Sequence, residues 1–131
     1  MTNKRNHCDE ARLPSNPQWF RQVLGRYPTG ICAITAMGPD GLPVGMAVGS
    51  FTSVSLTPPL VAFLPDKGST SWPKIERAGA FCVNVLNVEQ HAICRQFSSK
   101  TGNKYLGVGY STAVTGAPVL SGRVLAMWRS A

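Results

Sequence analysis

From residue 16 onward the apolar positions change period twice. Trp19, Phe20, Val23 and Leu24 recur at helical spacing behind Asn16 and Pro17. An Asn side chain accepts well at an N-cap, and a Pro at the first helical position gives up only an N–H that would have no partner. The spacing predicts a helix that Gly25 ends and whose apolar face packs onto the rest of the domain. Residues 31–37 form an apolar run too short for a helix, and Gly38-Pro39-Asp40-Gly41 is a strong turn signal. With residues 42–48 beyond it, the stretch predicts a β-hairpin.

Residues 50–56 alternate in polarity and are rich in hydroxyls, a strand pattern that stops at Thr57-Pro58-Pro59 because two prolines cannot donate to a central ladder. Residues 60–64 read as a short buried strand ended by Pro65. Ser69, Thr70 and Ser71 offer caps for a helix over residues 72–78, closed by Gly79. Residues 80–86 alternate as a strand, with Phe81, Val83 and Val85 on one face and Cys82, Asn84 and Leu86 on the other. Asn87-Val88-Glu89-Gln90 resembles a capping box and opens a helix through about residue 97. Residues 98–109 read as a loop and 110–114 as a strand. Gly116-Ala117-Pro118 turns the chain into a last strand over residues 123–128. Hairpin-linked strands with only two inserted helices are not the alternation of a doubly wound sheet, so a mainly β domain, a small barrel with helices at its ends, is expected.

Composition narrows the function. The 131 residues are one domain's worth: residues 1–15, polar and aperiodic, read as a disordered leader and 16–131 as the domain. The net charge is +7, yet the basic residues are spread along the whole chain instead of forming a stripe. This favours small anions such as a nucleotide over nucleic acid as the partner. Cys8, Cys32, Cys82 and Cys94 form no CxxC pair, and with His7 and His91 give no metal-ligand spacing. Cys32 and Cys82 lie in apolar runs, as small buried hydrophobes do. No apolar run approaches the roughly 20 residues that span a bilayer, and the first residues do not resemble a signal peptide, so a cytoplasmic protein is expected.

The sequence contains no GxSxG, P-loop or HExxH motif. Its six acidic residues are scattered, which disfavours a carboxylate-driven hydrolase. Gly107-Val108-Gly109 lacks the third glycine and preceding strand of a dinucleotide fingerprint. Two polar segments remain. Residues 49–55 are rich in hydroxyls, and Asp66-Lys67-Gly68-Ser69-Thr70-Ser71 leads from a strand into a helix, whose N-terminus would favour a phosphate with Lys67 adding a charge. The alternative is that these hydroxyls only cap a helix and satisfy a turn.

The stretch Phe20-Arg21-Gln22-Val23-Leu24-Gly25-Arg26-Tyr27-Pro28-Thr29-Gly30 resembles the opening of the flavin reductase-like, FMN-binding split-barrel family, as residues 43–61 resemble its next conserved region. Phe81-Cys82-Val83-Asn84-Val85-Leu86 is similar to that family's following core strand, and Lys104-Tyr105 to its usual Lys-Phe. The resemblance covers residues 19–125 in order. It implies a split β-barrel that dimerises, and an NAD(P)H:flavin oxidoreductase that moves hydride from NADH or NADPH to FMN or FAD and supplies a separate monooxygenase. Carried over by residue, Met46, Ala47, Val48, Gly49 and Ser50 would line the flavin ring. Leu64, Pro65 and Asp66 would flank the ring and ribityl chain, and Lys67, Ser69, Thr70 and Ser71 would hold the phosphate. Pro28 and Thr29 would approach the ring from another side. No side chain is assigned as an acid or base, since the cofactor carries the hydride chemistry. Asn84 is expected to be a structural hydrogen-bonder and His91 a helix-surface residue.

Two departures from the family pattern stand out. Gly49 occupies a position where relatives commonly have Asn. Relatives also continue through further strands and a Gly-Asp-His segment, so an incomplete barrel with open edges and impaired hydride transfer is expected. The corresponding alternative is a flavin-binding protein without catalysis.

Overall fold

In the computed structural model, residues 16–122 and 124–129 are described. The leader expected over residues 1–15, and Arg123 at the start of the last strand, lie outside them. β1 (Cys32–Met37) is the spine of the domain. It pairs antiparallel with β2 (Pro43–Val48) on one side and with β5 (Ala80–Val85) on the other. β8 (Val124–Arg129) extends the sheet beyond β5, giving the order β2-β1-β5-β8. Two ribbons stand apart: β3 (Thr52–Leu56) with β4 (Pro59–Ala62), and β6 (Tyr110–Thr112) with β7 (Pro118–Leu120). The fold is mainly β with a few short helices, and among the described residues the sheets do not close into a barrel.

Both faces of β1 are covered, which is why its sequence is a continuous apolar run. On one face Cys32, Ile34 and Ala36 pack with Met46, Val48 and Val83 beneath Ile75 of α2 (Trp72–Ala78). On the other, Ala33 packs with Leu120 of β7 and Phe97 of α3 (His91–Ser98). Cys32 and Cys82 are buried and unpaired, and burial raises both thiols. Gly45 is dictated by this packing: a Cβ there would lie 2.8 Å from Phe97 Cδ1 and closer still to Cε1.

A buried polar network holds the second face together. Asn84 Nδ2 donates to Thr35 Oγ1 (3.0 Å) and to Ala33 O (3.2 Å), and Asn84 Oδ1 accepts from Leu120 N–H (2.8 Å). Thr35 Oγ1 donates in turn to Cys82 O (3.3 Å) or to Pro118 O. Six buried residues thereby fix β7 against β1 and β5, the structural role expected for Asn84.

The expected elements recur with local corrections. α1 (Pro17–Leu24) begins as expected, with Asn16 Oδ1 accepting from Gln18 N–H (2.9 Å), and Gly25 ends it in a right-handed conformation. Its apolar face does not pack onto the domain: Trp19, Phe20, Val23 and Leu24 are all about half exposed. β4 is not a buried strand, because the β3–β4 ribbon lies off the main sheet and Leu60 stays exposed. β5 is buried on both faces at Cys82, Val83 and Asn84. Pro118 belongs to β7 and not to a turn, since its missing N–H is tolerated at the first residue of a strand. α2 ends at Ala78 with Gly79 left-handed (φ 72°), and Asn87 and Gln90 form the expected capping box.

Candidate functional site

The connection from β4 to α2 folds by its own side chains. Asp66 Oδ1 accepts from Gly68 N–H (3.1 Å), Asp66 O accepts from Ser69 N–H (2.9 Å), and Ser69 Oγ accepts from Trp72 N–H (3.1 Å). Ser69 therefore caps α2, although Ser71 occupies the N-cap position. Ser71 has another task, since its Oγ accepts from Lys104 Nζ at 2.8 Å.

This connection, β2 and the end of α3 enclose a hollow of about 140 Å³. Met46, Ala47, Asp66, Ser69, Thr70 and Ser71 line it, so six of the residues expected at a flavin site come together here. Phe97, Ser98, Ser99, Lys100 and Lys104 complete the wall. A second hollow of about 170 Å³ adjoins it and shares Thr70, Ser71, Lys100 and Lys104, adding Pro43, Val44, Gly45, Lys74, Gly102, Asn103 and Tyr105.

The helix-terminus expectation needs correction in its physical basis. The first turn of α2 has few N–H groups to offer an anion: Trp72 donates to Ser69, Pro73 has none, and Lys74 and Ile75 both donate to Ser71 O. Among the described residues it is the N–H groups of Lys67, Thr70 and Ser71, ahead of the helix, that have no acceptor. Lys67 itself is exposed on the turn and lines neither hollow; the cations there are Lys74, Lys100 and Lys104.

Lys104 ties three elements together, donating to Gly45 O (3.0 Å), Ser71 Oγ (2.8 Å) and Phe97 O (3.1 Å). Burial, and secondarily the ammonium of Lys74, lowers its pKa. Tyr105 next to it donates to Val44 O (2.8 Å) and packs edge-on against Phe97 and Tyr110. Burial is the main reason its phenol is pushed far up, with Tyr110 and Cys82 adding to it.

The remaining expected residues form a rim or lie apart. Ser50 Oγ accepts from Leu64 N–H (2.9 Å) and bonds Leu64 O (3.3 Å), which fastens the end of β2 to the end of β4. Leu64 is 79% exposed and Pro65 half-buried beside it. The Val48 side chain belongs to the apolar core, so only its backbone is available to a ligand. Pro28 is exposed ahead of β1. Thr29 reaches Gly49: a Cβ on Gly49 would lie 3.0 Å from Thr29 Oγ1. Thr29 also borders a third hollow of about 280 Å³ with Leu86, His91 and Cys94, where His91 is exposed as expected. Lys100 and the wall from α3 had no signal in the sequence, because residues that meet only through tertiary packing share no local pattern.

A mainly β domain with hydroxyls, free backbone N–H groups and lysines gathered at a sheet edge can hold a phosphate-bearing ligand of mixed polarity. The chain belongs to the family described as flavin reductase like domain, whose model matches residues 24–128. A flavin reductase of Pseudomonas putida is 64% identical over 114 residues, covering 87% of this chain and 67% of that protein. The HsaB reductase subunit of a flavin-dependent monooxygenase from Rhodococcus jostii is 48% identical over 107 residues, covering 82% of this chain and 54% of its own length. Among solved structures, the NADH:FAD oxidoreductase SgcE6 of Streptomyces globisporus, in complex with NAD and FAD fragments, is 33% identical with a TM-score of 0.77 over 85% of this chain and 67% of that one. The chain thus spans between about half and two thirds of these relatives. No helix among the described residues is long and apolar enough to cross a membrane.

Proposed function

We propose that this chain binds a flavin, FMN or FAD, and reduces it with NADH or NADPH for use by a separate flavin-dependent monooxygenase. The observation that supports it best is the hollow between β2 and residues 66–71, where unpaired N–H groups, hydroxyls and lysines meet in a chain of this family. β2 is an edge strand among the described residues, and beyond Val44 and Gly45, whose carbonyls accept from Tyr105 and Lys104, its backbone at residues 46–48 has no second strand to pair with and could meet the polar edge of a ring. Met46, Ala47, Val48, Gly49 and Ser50 would hold the ring there, chiefly through backbone groups, with Thr29 and Pro28 beyond Gly49. Leu64, Pro65 and Asp66 would flank the ring and ribityl chain. Ser69, Thr70 and Ser71 would take the phosphate, with Lys67 nearby and Lys100 and Lys104 as the cations that line the hollow itself.

Bound flavin supplies the hydride chemistry, and the residues of this chain bind, orient and desolvate it. We also read the protein as a homodimer. The support is the apolar face of α1 and the exposed β3–β4 ribbon, which is too small to be stable uncovered. The cysteines among the described residues, Cys32, Cys82 and Cys94, are unpaired, which together with a nicotinamide co-substrate fits a cytoplasmic location.

The test is the absorbance spectrum after incubation with FMN and desalting, followed by anaerobic NADH and then NADPH. A retained flavin peak that bleaches is the expected result. A retained peak that neither nucleotide bleaches would replace the reductase with a flavin carrier, and loss of the peak from folded protein would remove flavin binding altogether.

A further inference from the structure

The hollow assigned to the flavin phosphate is one half of a pair. Its neighbour, of about 170 Å³, shares Thr70, Ser71, Lys100 and Lys104 with it and adds Lys74 and Asn103. No acidic residue lines this second hollow. The three acceptors of Lys104 are two backbone carbonyls and a hydroxyl, so its half-buried charge is solvated by dipoles without being neutralised. Lys74 is near enough to add to the lowering of its pKa. Asp40 lies on the far side of Lys74, and its Oδ1 is engaged by Leu42 N–H at 3.1 Å. Asp66 faces the first hollow and holds its own turn.

Lys74 and Lys104 repel each other across this depression, and Lys100 stands in the same lining with no acidic residue among them, so an anion bound there relieves the repulsion. We propose that the second hollow is the subsite for the second phosphate of FAD, so that this chain takes FAD in preference to FMN. The proposal rests on the flavin reading above. The occupant follows from continuity: the two hollows share four residues, so a phosphate in the first continues directly into the second as a diphosphate. FMN fills only the first and leaves Lys74 and Asn103 unused.

Titrating the full chain with riboflavin, FMN and FAD by flavin fluorescence, without nicotinamide nucleotide, tests this. FAD is expected to bind about tenfold more tightly than FMN, as one charge-assisted contact at a partly exposed site allows. Lys74→Gln is expected to bring the FAD-to-FMN ratio to within about twofold. Arg95→Gln, which removes one charge on the exposed face of α3, is expected to keep the wild-type ratio. Equal FMN and FAD affinities in the wild type would overturn the proposal while leaving flavin binding in place. So would a Lys74→Gln variant that weakens both flavins by the same factor, which would mean a general field and no subsite. Failure of every flavin to bind would overturn the parent reading together with this one.

Discussion

The two faces of β1 and the rim of the molecule solve opposite problems. Around β1 the contacts lie within one chain: Ile34, Val83 and Phe97 are fully buried, and Asn84 and Thr35 pair with each other and with three strands. At the rim, α1 and the β3–β4 ribbon present Trp19, Val54, Leu56 and Leu60 to solvent, and Leu56 is 91% exposed. The first region can specify a fold alone. The second carries more apolar surface than an isolated chain needs, and the candidate site lies between them.

The largest effect should come from breaking the satisfied region. Asn84→Ala strips Leu120 N–H and Thr35 Oγ1 of their buried partner, and a loss of about 3 kcal/mol is expected by urea denaturation. A change below about 0.5 kcal/mol would mean that water or a rearranged Thr35 replaces it.

Tyr105 gives the satisfied region a pH dependence. Its folded pKa is raised above the unfolded value of 10.0, so the folded state keeps a proton that the unfolded chain gives up. This stabilisation is therefore complete below pH 10 and is lost as pH rises past it. Tyr105→Phe is expected to cost about 1 kcal/mol at neutral pH through the lost bond to Val44 O, and to flatten the alkaline decline. A decline as steep as that of the wild type would assign it to another group.

The smallest effect on folding belongs to the rim. Leu56→Ser should change unfolding of the chain by less than about 0.5 kcal/mol. If the rim is a self-association surface, the same substitution should lower the sedimentation-derived mass toward that of a monomer. Unchanged mass together with unchanged stability would remove Leu56 from any interface.

The sequence carried the local part of this structure. The bounds of α2, its left-handed Gly79 and the Asn87 capping box follow from residues a few positions apart. β7 was hidden because three residues beginning with a proline have no period of their own, and only the Asn84 and Thr35 bonds fix them. The face of α1 was legible as amphipathic, but amphipathicity does not say whether its partner belongs to the same chain. At the site, the hydroxyls and Asp66 were legible as a turn leading into a helix. The lysines of the hollow were not legible as part of the site, because Lys104 reaches Ser71, and Lys100 joins the same wall, only once α3 has packed on β2.

In the proposed function, β2 and residues 66–71 form one flavin site. Amide hydrogen exchange with and without FMN tests it most directly. FMN is expected to protect the N–H groups of Thr70 and Ser71, together with those along residues 46–50, and to leave the Asn84 network unchanged. Flavin that stays bound after desalting without protecting Thr70 and Ser71 would contradict it and place the flavin elsewhere on the molecule.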